Sequence, residues 1–238
     1  MTDIPETALI VAHGQPSDPA PAAAEIAALA AKVAAHLPGW QVGSATLAEA
    51  EALPQGIAAA GRPGLIYPLF MAGGWFTRTL LPKRLAEAGG ADWRIAEPFG
   101  TDPAIAALTV TLAREALERR PEGAREILLA AHGSSRSPAP SDIAIAMAAR
   151  LREELGLDRC EAAFIDQSPQ IVHVAATMPD ALCLPFFAAR GGHVIDDLPQ
   201  ALAEAGFRGP LLPPVGLDDR VPGLIAAALR AALAPVAS

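Results

Sequence analysis

The chain repeats itself, and this internal repeat constrains its fold more than any other feature of the sequence. The segment ALIVAHGQPSDPAP (8–21) aligns with ILLAAHGSSRSPAP (127–140), so that His13 matches His132 at an offset of 119 residues. The chain has 238 residues, twice that offset. Because similarity at a fixed period indicates repeated structural units, the sequence predicts a tandem duplication.

Two further blocks support the duplication. PLFMAGGWFTRTLLPKRLAEAG (68–89) aligns without gaps with PFFAARGGHVIDDLPQALAEAG (185–206) at an offset of 117, and the two share the ending LAEAG. EPFGTDPAIAAL (97–108) aligns with PPVGLDDRVPGL (213–224) at an offset of 116. The charged stretch REALERRPEGARE (114–126) separates the copies, so we place the boundary near residue 121 and the two domains at 1–120 and 121–238.

Each half alternates short apolar runs with alanine-rich amphipathic stretches, a pattern that predicts an α/β unit with a parallel sheet flanked by helices. In the first half, we expect strands near 7–12, 41–47, 64–69 and 93–97, and helices near 20–36, 52–60, 78–88 and 103–119. In the second half, we expect strands near 126–131, 160–165, 181–186 and 209–213, and a last helix near 221–234.

The composition excludes several classes of protein. With 52% hydrophobic and 18% charged residues the chain should fold, and its net charge of -8 argues against a nucleic-acid partner. The start MTDIPETALIVAHG lacks the basic and apolar regions of a secretory signal. The longest apolar stretch, GLIYPLFMAGGWF, has 13 residues, against about 20 needed to span a bilayer. We therefore expect a cytoplasmic protein with no membrane partner.

Two histidines follow strands of the second half. His132 ends the strand EILLAA and precedes GSSRS, while His193 lies in the loop after ALCLPFF. Ligands of open parallel sheets bind outside the carboxyl ends of the strands, where both histidines should project. Either one alone could be a hydrogen-bonded loop residue, but two imidazoles on one edge are typical of a metal site.

Carboxylates accompany both histidines. Asp166, in EAAFIDQSP, should lie at the same edge, either as a metal ligand or proton acceptor or as the N-cap of a helix that begins near Pro169. Asp196 and Asp197 precede LPQALAEAG and could cap that helix, which we favour for Asp196, or one could orient His193.

The first half keeps His13 but has Phe76 at the position of His193, and its segment TLAEAE offers no clean equivalent of Asp166. One of the two predicted metal sites has therefore lost its ligands. We expect ordinary structural roles for the other two histidines, His36 and His173, and for the cysteines, which read as buried apolar residues (Cys160 and Cys183).

Basic residues lie near both edges. Arg136 and Arg190 flank the histidine loops of the second half, and the first half has its own basic set (Arg78, Lys83 and Arg84). These residues could form a solvated rim, but in an acidic protein they could also bind a polycarboxylate.

The sequence resembles the class II sirohydrochlorin chelatases, the cobalto- and ferrochelatases of cobalamin and sirohaem synthesis, whose long members are duplicated. The resemblance covers the whole chain and rests on three motifs. They are LLAAHGSSR, AAFIDQSPQI, where the family usually reads Ala-Phe-Leu-Glu followed by proline, and LPFFAARGGHVIDDLP with its Gly-x-His-x-x-x-Asp-hydrophobic-Pro signature.

The resemblance implies two chelatase-like (Rossmann/flavodoxin-like) halves and a reaction that inserts a divalent metal, cobalt or iron, into sirohydrochlorin. It makes His132 and His193 the metal-binding and catalytic pair and places Asp166 at the usual glutamate position as a third metal ligand. Ser134, Arg136 and Arg190 would contact the tetrapyrrole. The metal ion is a substrate, no organic cofactor is implied, and a homo-oligomer is possible.

Two other functions stay open at this point. A non-catalytic tetrapyrrole or metal carrier would explain why one half has lost its ligands. A periplasmic-type binding protein with two α/β lobes would need the export signal that the sequence lacks.

Overall fold

The computed structural model describes residues 6–121, 125–135 and 137–233, and Arg136 therefore lies outside the described residues. The strands are Glu6–Ala12 (β1), Trp40–Thr46 (β2), Leu65–Pro68 (β3), Arg94–Ile95 (β4), Glu126–Ala131 (β5), Arg159–Phe164 (β6) and Leu182–Pro185 (β7). The helices are Pro19–Ala35 (α1), Ala52–Ala60 (α2), Leu81–Glu87 (α3), Pro103–Leu117 (α4), Ala139–Leu155 (α5), Ile171–Thr177 (α6), Leu198–Glu204 (α7) and Val221–Leu233 (α8).

The first sheet has the strand order β2-β1-β3-β4, and its strands pair in parallel. Its central strand, β1, is buried along almost its whole length, which explains the unbroken apolar run in this part of the sequence. Leu9 and Val11 of β1 pack with Ile66 of β3 and with Leu81 and Leu85 of α3. This core holds β1 and β3 in place. His13 follows β1 in the chain, and Phe76 lies beyond the loop after β3.

The second sheet has the order β6-β5-β7 and is also parallel. Leu128 and Ala130 of its central strand pack with Ile171 of α6 and Leu198 of α7. The prediction of a strand near 209–213 is wrong, since only an isolated bridge joins Leu211 to Cys183. Prolines at 210, 213 and 214 lack the backbone N–H that a longer ladder would need.

Most of the other predicted elements are confirmed, but two differ in extent or form. The strand predicted near 93–97 is only two residues long. The predicted helix near 78–88 is α3 preceded by a π-helical turn at Phe76–Leu80, and a matching turn at His193–Asp197 precedes α7. His193 thus begins a helical turn and is not a loop residue.

By its contacts the chain divides into two compact units, Met1–Asp102 with Asp219–Ser238, and Pro103–Asp218. Helix α4 thus belongs to the second unit. Helix α8 belongs to the first unit, where it packs on α1. These units do not coincide with the repeat copies at 1–120 and 121–238, which remain a prediction about the duplicated sequence.

The remaining expectations concern helices and thiols. None of the described helices is long and apolar enough to cross a membrane. His36 ends α1 and His173 lies within α6.

Cys183 is buried and Cys160 is half-buried, and burial raises the pKa of each thiol to about 12. Both therefore stay protonated near neutral pH.

Candidate metal and proton-transfer site

The structure brings His132 and His193 together at the carboxyl edge of the second sheet. His132 follows β5 directly, and His193 begins the π-helical turn after β7. Their ring centroids are 4.3 Å apart and the rings are nearly perpendicular, at 80°. Each side chain is 43% exposed, so the pair is open to an incoming ligand.

A turn at Gly133 positions His132 at this edge. Gly133 has a φ of +71°, a left-handed conformation that residues with side chains rarely adopt. A Cβ at this position would also lie 2.9 Å from Cβ of Phe164 and 2.7 Å from Cγ of Gln167. The residue after His132 therefore has to be glycine, as it is after His13, where Gly14 has a φ of +76°.

Both imidazoles of the pair have an oxygen at Nδ1. His132 Nδ1 lies 3.1 Å from the carbonyl oxygen of Gly133 and 3.4 Å from Oδ2 of Asp166. His193 Nδ1 lies 2.6 Å from Oδ2 of Asp197. Carbonyl and carboxylate oxygens accept hydrogen bonds, so these contacts favour, for a neutral ring, the tautomer in which Nδ1 carries the proton and Nε2 keeps a lone pair. This is the usual arrangement of a metal-binding histidine.

Burial and the neighbouring imidazole set the protonation state of His132. Burial lowers the pKa of His132 below its ordinary value of 6.5, and the nearby His193 lowers it further. The Asp166 carboxylate and the hydrogen bond to Gly133 act in the opposite direction. Because lowering prevails, His132 is neutral at pH 7 and can donate its lone pair to a metal ion.

A titration by NMR of the metal-free protein tests this balance. His132 should titrate below 6.5, and an Asp166→Asn variant should titrate lower still, since it lacks the carboxylate that raises the pKa. As the pH falls through this pKa, protons should displace metal from His132. A higher pKa in the Asp166→Asn variant would contradict the assigned causes.

The carboxylates differ from the sequence-based expectation. Asp166 Oδ2 faces Nδ1 of His132, which favours an orienting role over direct coordination. Among the described residues, no group of three or more histidine, cysteine, aspartate or glutamate side chains is placed to hold a metal ion. Asp166 as third ligand therefore stays a prediction. The two-histidine site leaves positions open, as sites that exchange a ligand do.

The capping alternatives are wrong. Helix α6 begins after Gln170, without a side-chain cap from Asp166. Helix α7 has no side-chain cap from Asp197 or from Asp196, which lies within the π-helical turn, so the capping role favoured for Asp196 is wrong. Asp197 is itself helical, with φ -68° and ψ -42°, because the π-helical turn runs directly into α7. The amides that a cap would satisfy lie further upstream, so Asp197 is available to His193.

No sequence pattern identified Gln167 as a site residue. Its Oε1 accepts a 2.6 Å hydrogen bond from the backbone N–H of Ser134. This bond ties the loop after His132 to the loop that holds Asp166. Of the predicted substrate contacts, Ser134 is half-buried in that loop and Arg190 is exposed before the π-helical turn.

The first unit repeats the backbone of this site and keeps one histidine, but it lacks the second histidine and both carboxylates. His13 follows β1 with Nδ1 2.8 Å from the Gly14 carbonyl oxygen, and its ring lies 4.6 Å from that of Phe76 at 84°. The amide of Ala48 bonds to the carbonyl of His13, just as the amide of Asp166 bonds to that of His132. Ala48, Phe76 and Leu80 therefore stand where the second half has Asp166, His193 and Asp197.

The duplicated parallel-sheet fold is that of the chelatases. The family model of CbiX matches residues 7–116 and again residues 126–232. The chain therefore belongs to the CbiX family. This result confirms the resemblance, and the two matched ranges agree with a duplicated sequence.

Solved structures support the assignment. The chain is 48% identical, with a TM-score of 0.88, to CbiX, described as the terminal enzyme for biosynthesis of siroheme in denitrifying bacteria; the match covers 96% of this chain and 100% of that one. SirB from Bacillus subtilis with Fe3+ is 17% identical, with a TM-score of 0.76, over 95% of this chain and 94% of its own. The likeness to SirB concerns the fold. A comparison with curated proteins gives no significant match.

Proposed function

We propose that this chain is a sirohydrochlorin chelatase that inserts a divalent metal ion, cobalt or iron, into sirohydrochlorin at the histidine pair of its C-terminal half. The observation that carries this proposal is the His132–His193 pair, 4.3 Å between ring centroids, with oxygens at both Nδ1 atoms. Membership of the CbiX family and 48% identity to an enzyme of siroheme biosynthesis support the substrate class.

The reaction exchanges one metal ion for two protons. The metal ion binds the Nε2 lone pairs and then passes to the pyrrole nitrogens, which release their two N–H protons. Each imidazole that gives up the metal regains a lone pair and can accept one of these protons. The carboxylates of Asp166 and Asp197, at Nδ1 of the two rings, stabilise the imidazolium ions that form.

The N-terminal half does not offer this chemistry. Phe76 has no lone pair for a metal or a proton, and Ala48 and Leu80 supply no carboxylate. His13 remains as a single imidazole against the phenyl ring. One chain should therefore carry one reaction site.

We propose that Arg190 and Ser134 hold carboxylates of the tetrapyrrole, since Arg190 is exposed in the loop that leads to the turn beginning at His193. Arg190→Gln should weaken binding of metal-free sirohydrochlorin by about tenfold and reduce its salt dependence, because the lost attraction is between charges. Absorbance titrations over a salt series measure both effects. Unchanged affinity at every salt concentration would identify Arg190 as part of a solvated rim.

Metal-insertion assays test the function itself. The purified protein should convert sirohydrochlorin to its metallated form, with cobalt and iron supplied in separate reactions and the product followed by absorbance. A His132→Ala variant, handled in the same way, controls for spontaneous insertion. Tight binding of sirohydrochlorin without conversion by any metal would support the carrier instead.

We also propose that the enzyme works in the cytoplasm. A homo-oligomer stays a prediction. Cell fractionation and sedimentation velocity measure location and assembly state, respectively.

A further inference from the structure

The residues that replace the lost ligands in the N-terminal half form a pattern of their own. The ungapped alignment of 68–89 with 185–206 sets Trp75 and Phe76 against Gly192 and His193. The tryptophan is 56% exposed, although burying an indole would stabilise the fold. Loss of a metal site requires neither an exposed tryptophan nor a second new aromatic ring.

Four rings gather at this edge of the first sheet: His13, Phe70, Trp75 and Phe76, here called the aromatic cluster. The Phe70 and Phe76 rings are nearly parallel, at 21°, with centroids 6.2 Å apart. The rings of Trp75 and His13 meet Phe76 edge-on, at 5.2 Å and 4.6 Å. Phe76 is therefore fixed on three sides and supports the exposed Trp75.

The charge of the same segment has also changed sign. Where the second half has Asp196 and Asp197, the first has Thr79 and Leu80. Where the second half has neutral residues (Ile195, Gln200 and Ala201), the first has basic ones (Arg78, Lys83 and Arg84). Lys83 pairs with Glu87 at 3.8 Å, whereas Arg78 is exposed. This segment of the first half thus has cationic side chains where the aligned segment of the second half has carboxylates.

Arg78 lies beside the loop that leads to Trp75. A Cβ built on Gly73 would lie 3.1 Å from Nε and 3.2 Å from an Nη of Arg78. Gly73 aligns with Arg190, so each half places one guanidinium at this loop from a different sequence position. A guanidinium at the loop that leads to an exposed aromatic ring suits a ligand that is both flat and anionic.

We infer that the aromatic cluster and Arg78 of the first unit form a recognition surface for the metal-free tetrapyrrole. A flat conjugated ring would stack on Trp75, and one of its carboxylates would pair with Arg78. The inference rests on the proposed function, which makes sirohydrochlorin the substrate. The N-terminal copy has thereby exchanged metal handling for binding of the macrocycle.

Equilibrium binding of metal-free sirohydrochlorin tests this inference. Trp75→Ala should weaken binding by about tenfold, and Trp75→Phe, which keeps a ring, by no more than about threefold. The same losses should occur in a His132→Ala/His193→Ala background, where insertion is blocked. Trp40→Ala is the matched control, since Trp40 begins β2 and lies at the opposite end of that strand from the cluster.

Intrinsic fluorescence provides a second measurement. Binding should quench Trp75 emission, so the quenching should be much smaller in Trp75→Phe than in the wild type. Thermal unfolding of each variant checks that the fold is intact. Equal affinity of the wild type and Trp75→Ala, or an equal loss in Trp40→Ala, would overturn the inference.

The outcomes separate this inference from the proposed function. Metal insertion by the wild type together with unaltered binding by Trp75→Ala would overturn the inference alone. Binding that depends on Trp75, without insertion by any metal, would support the inference and overturn the chelatase activity.

Discussion

Replacement of His193 with alanine is expected to lower the rate of metal insertion by a factor on the order of 10²–10⁴, the usual contribution of a positioned proton acceptor. The variant loses a metal ligand and a base at once, and Asp197 loses its partner at 2.6 Å. Its free energy of unfolding should change by no more than about 0.5 kcal/mol, because the side chain is 43% exposed. Single-turnover absorbance kinetics and thermal unfolding measure the two effects.

His13→Ala is the matched control for this variant. His13 occupies the equivalent position in the other repeat, but its neighbour is Phe76 and not a second imidazole. The His13 variant should therefore keep most of the insertion rate. A large loss in His13→Ala with a near-normal rate in His193→Ala would place the reaction in the N-terminal half.

Asp197→Asn is expected to reduce insertion by about 10–100-fold, the usual cost of losing a carboxylate that orients a metal-binding histidine. The amide can still accept a hydrogen bond, but it has no charge to stabilise the His193 imidazolium. The loss should appear in kcat more than in KM for sirohydrochlorin, since Asp197 acts through His193. Asp197→Glu should recover part of the rate.

The neighbouring Asp196→Asn is the control for that experiment. It removes the same charge from the same exposed turn, so a general electrostatic effect would lower both rates equally. A specific effect of Asp197 would leave the Asp196 variant close to wild type. Equal insertion rates in the wild type, Asp197→Asn and Asp196→Asn would contradict the role of Asp197 in orienting His193.

The repeat made much of the fold predictable from the sequence. Apolar runs of four to seven residues became β1, β3, β5 and β7, and the predicted helix at 52–60 is α2. The histidine pair could be predicted because carboxyl ends of parallel strands share one edge. The segment at 209–213 was harder to predict, because its leucines suit a strand while its prolines limit pairing to a single bridge.

The sequence left the roles of the carboxylates open between capping a helix and acting at a histidine. A sequence pattern does not distinguish a π-helical turn from a loop, and only the continuous turn into α7 frees Asp197 from capping. Asp197 lies four positions after His193, and within that turn His193 Nδ1 lies 2.6 Å from Oδ2 of Asp197. Gln167 carried no signal, because its contact with Ser134 depends on how two loops meet.

A titration with Co2+ followed by the imidazole NMR signals tests the central claim most directly. The chain has five histidines, which give separate signals that single-site variants can assign. At less than one equivalent of Co2+, the paramagnetic ion should shift or broaden the signals of His132 and His193 and leave those of His13, His36 and His173 in place. Perturbation of His13 first, with the other pair unaffected, would contradict a reaction site in the C-terminal half.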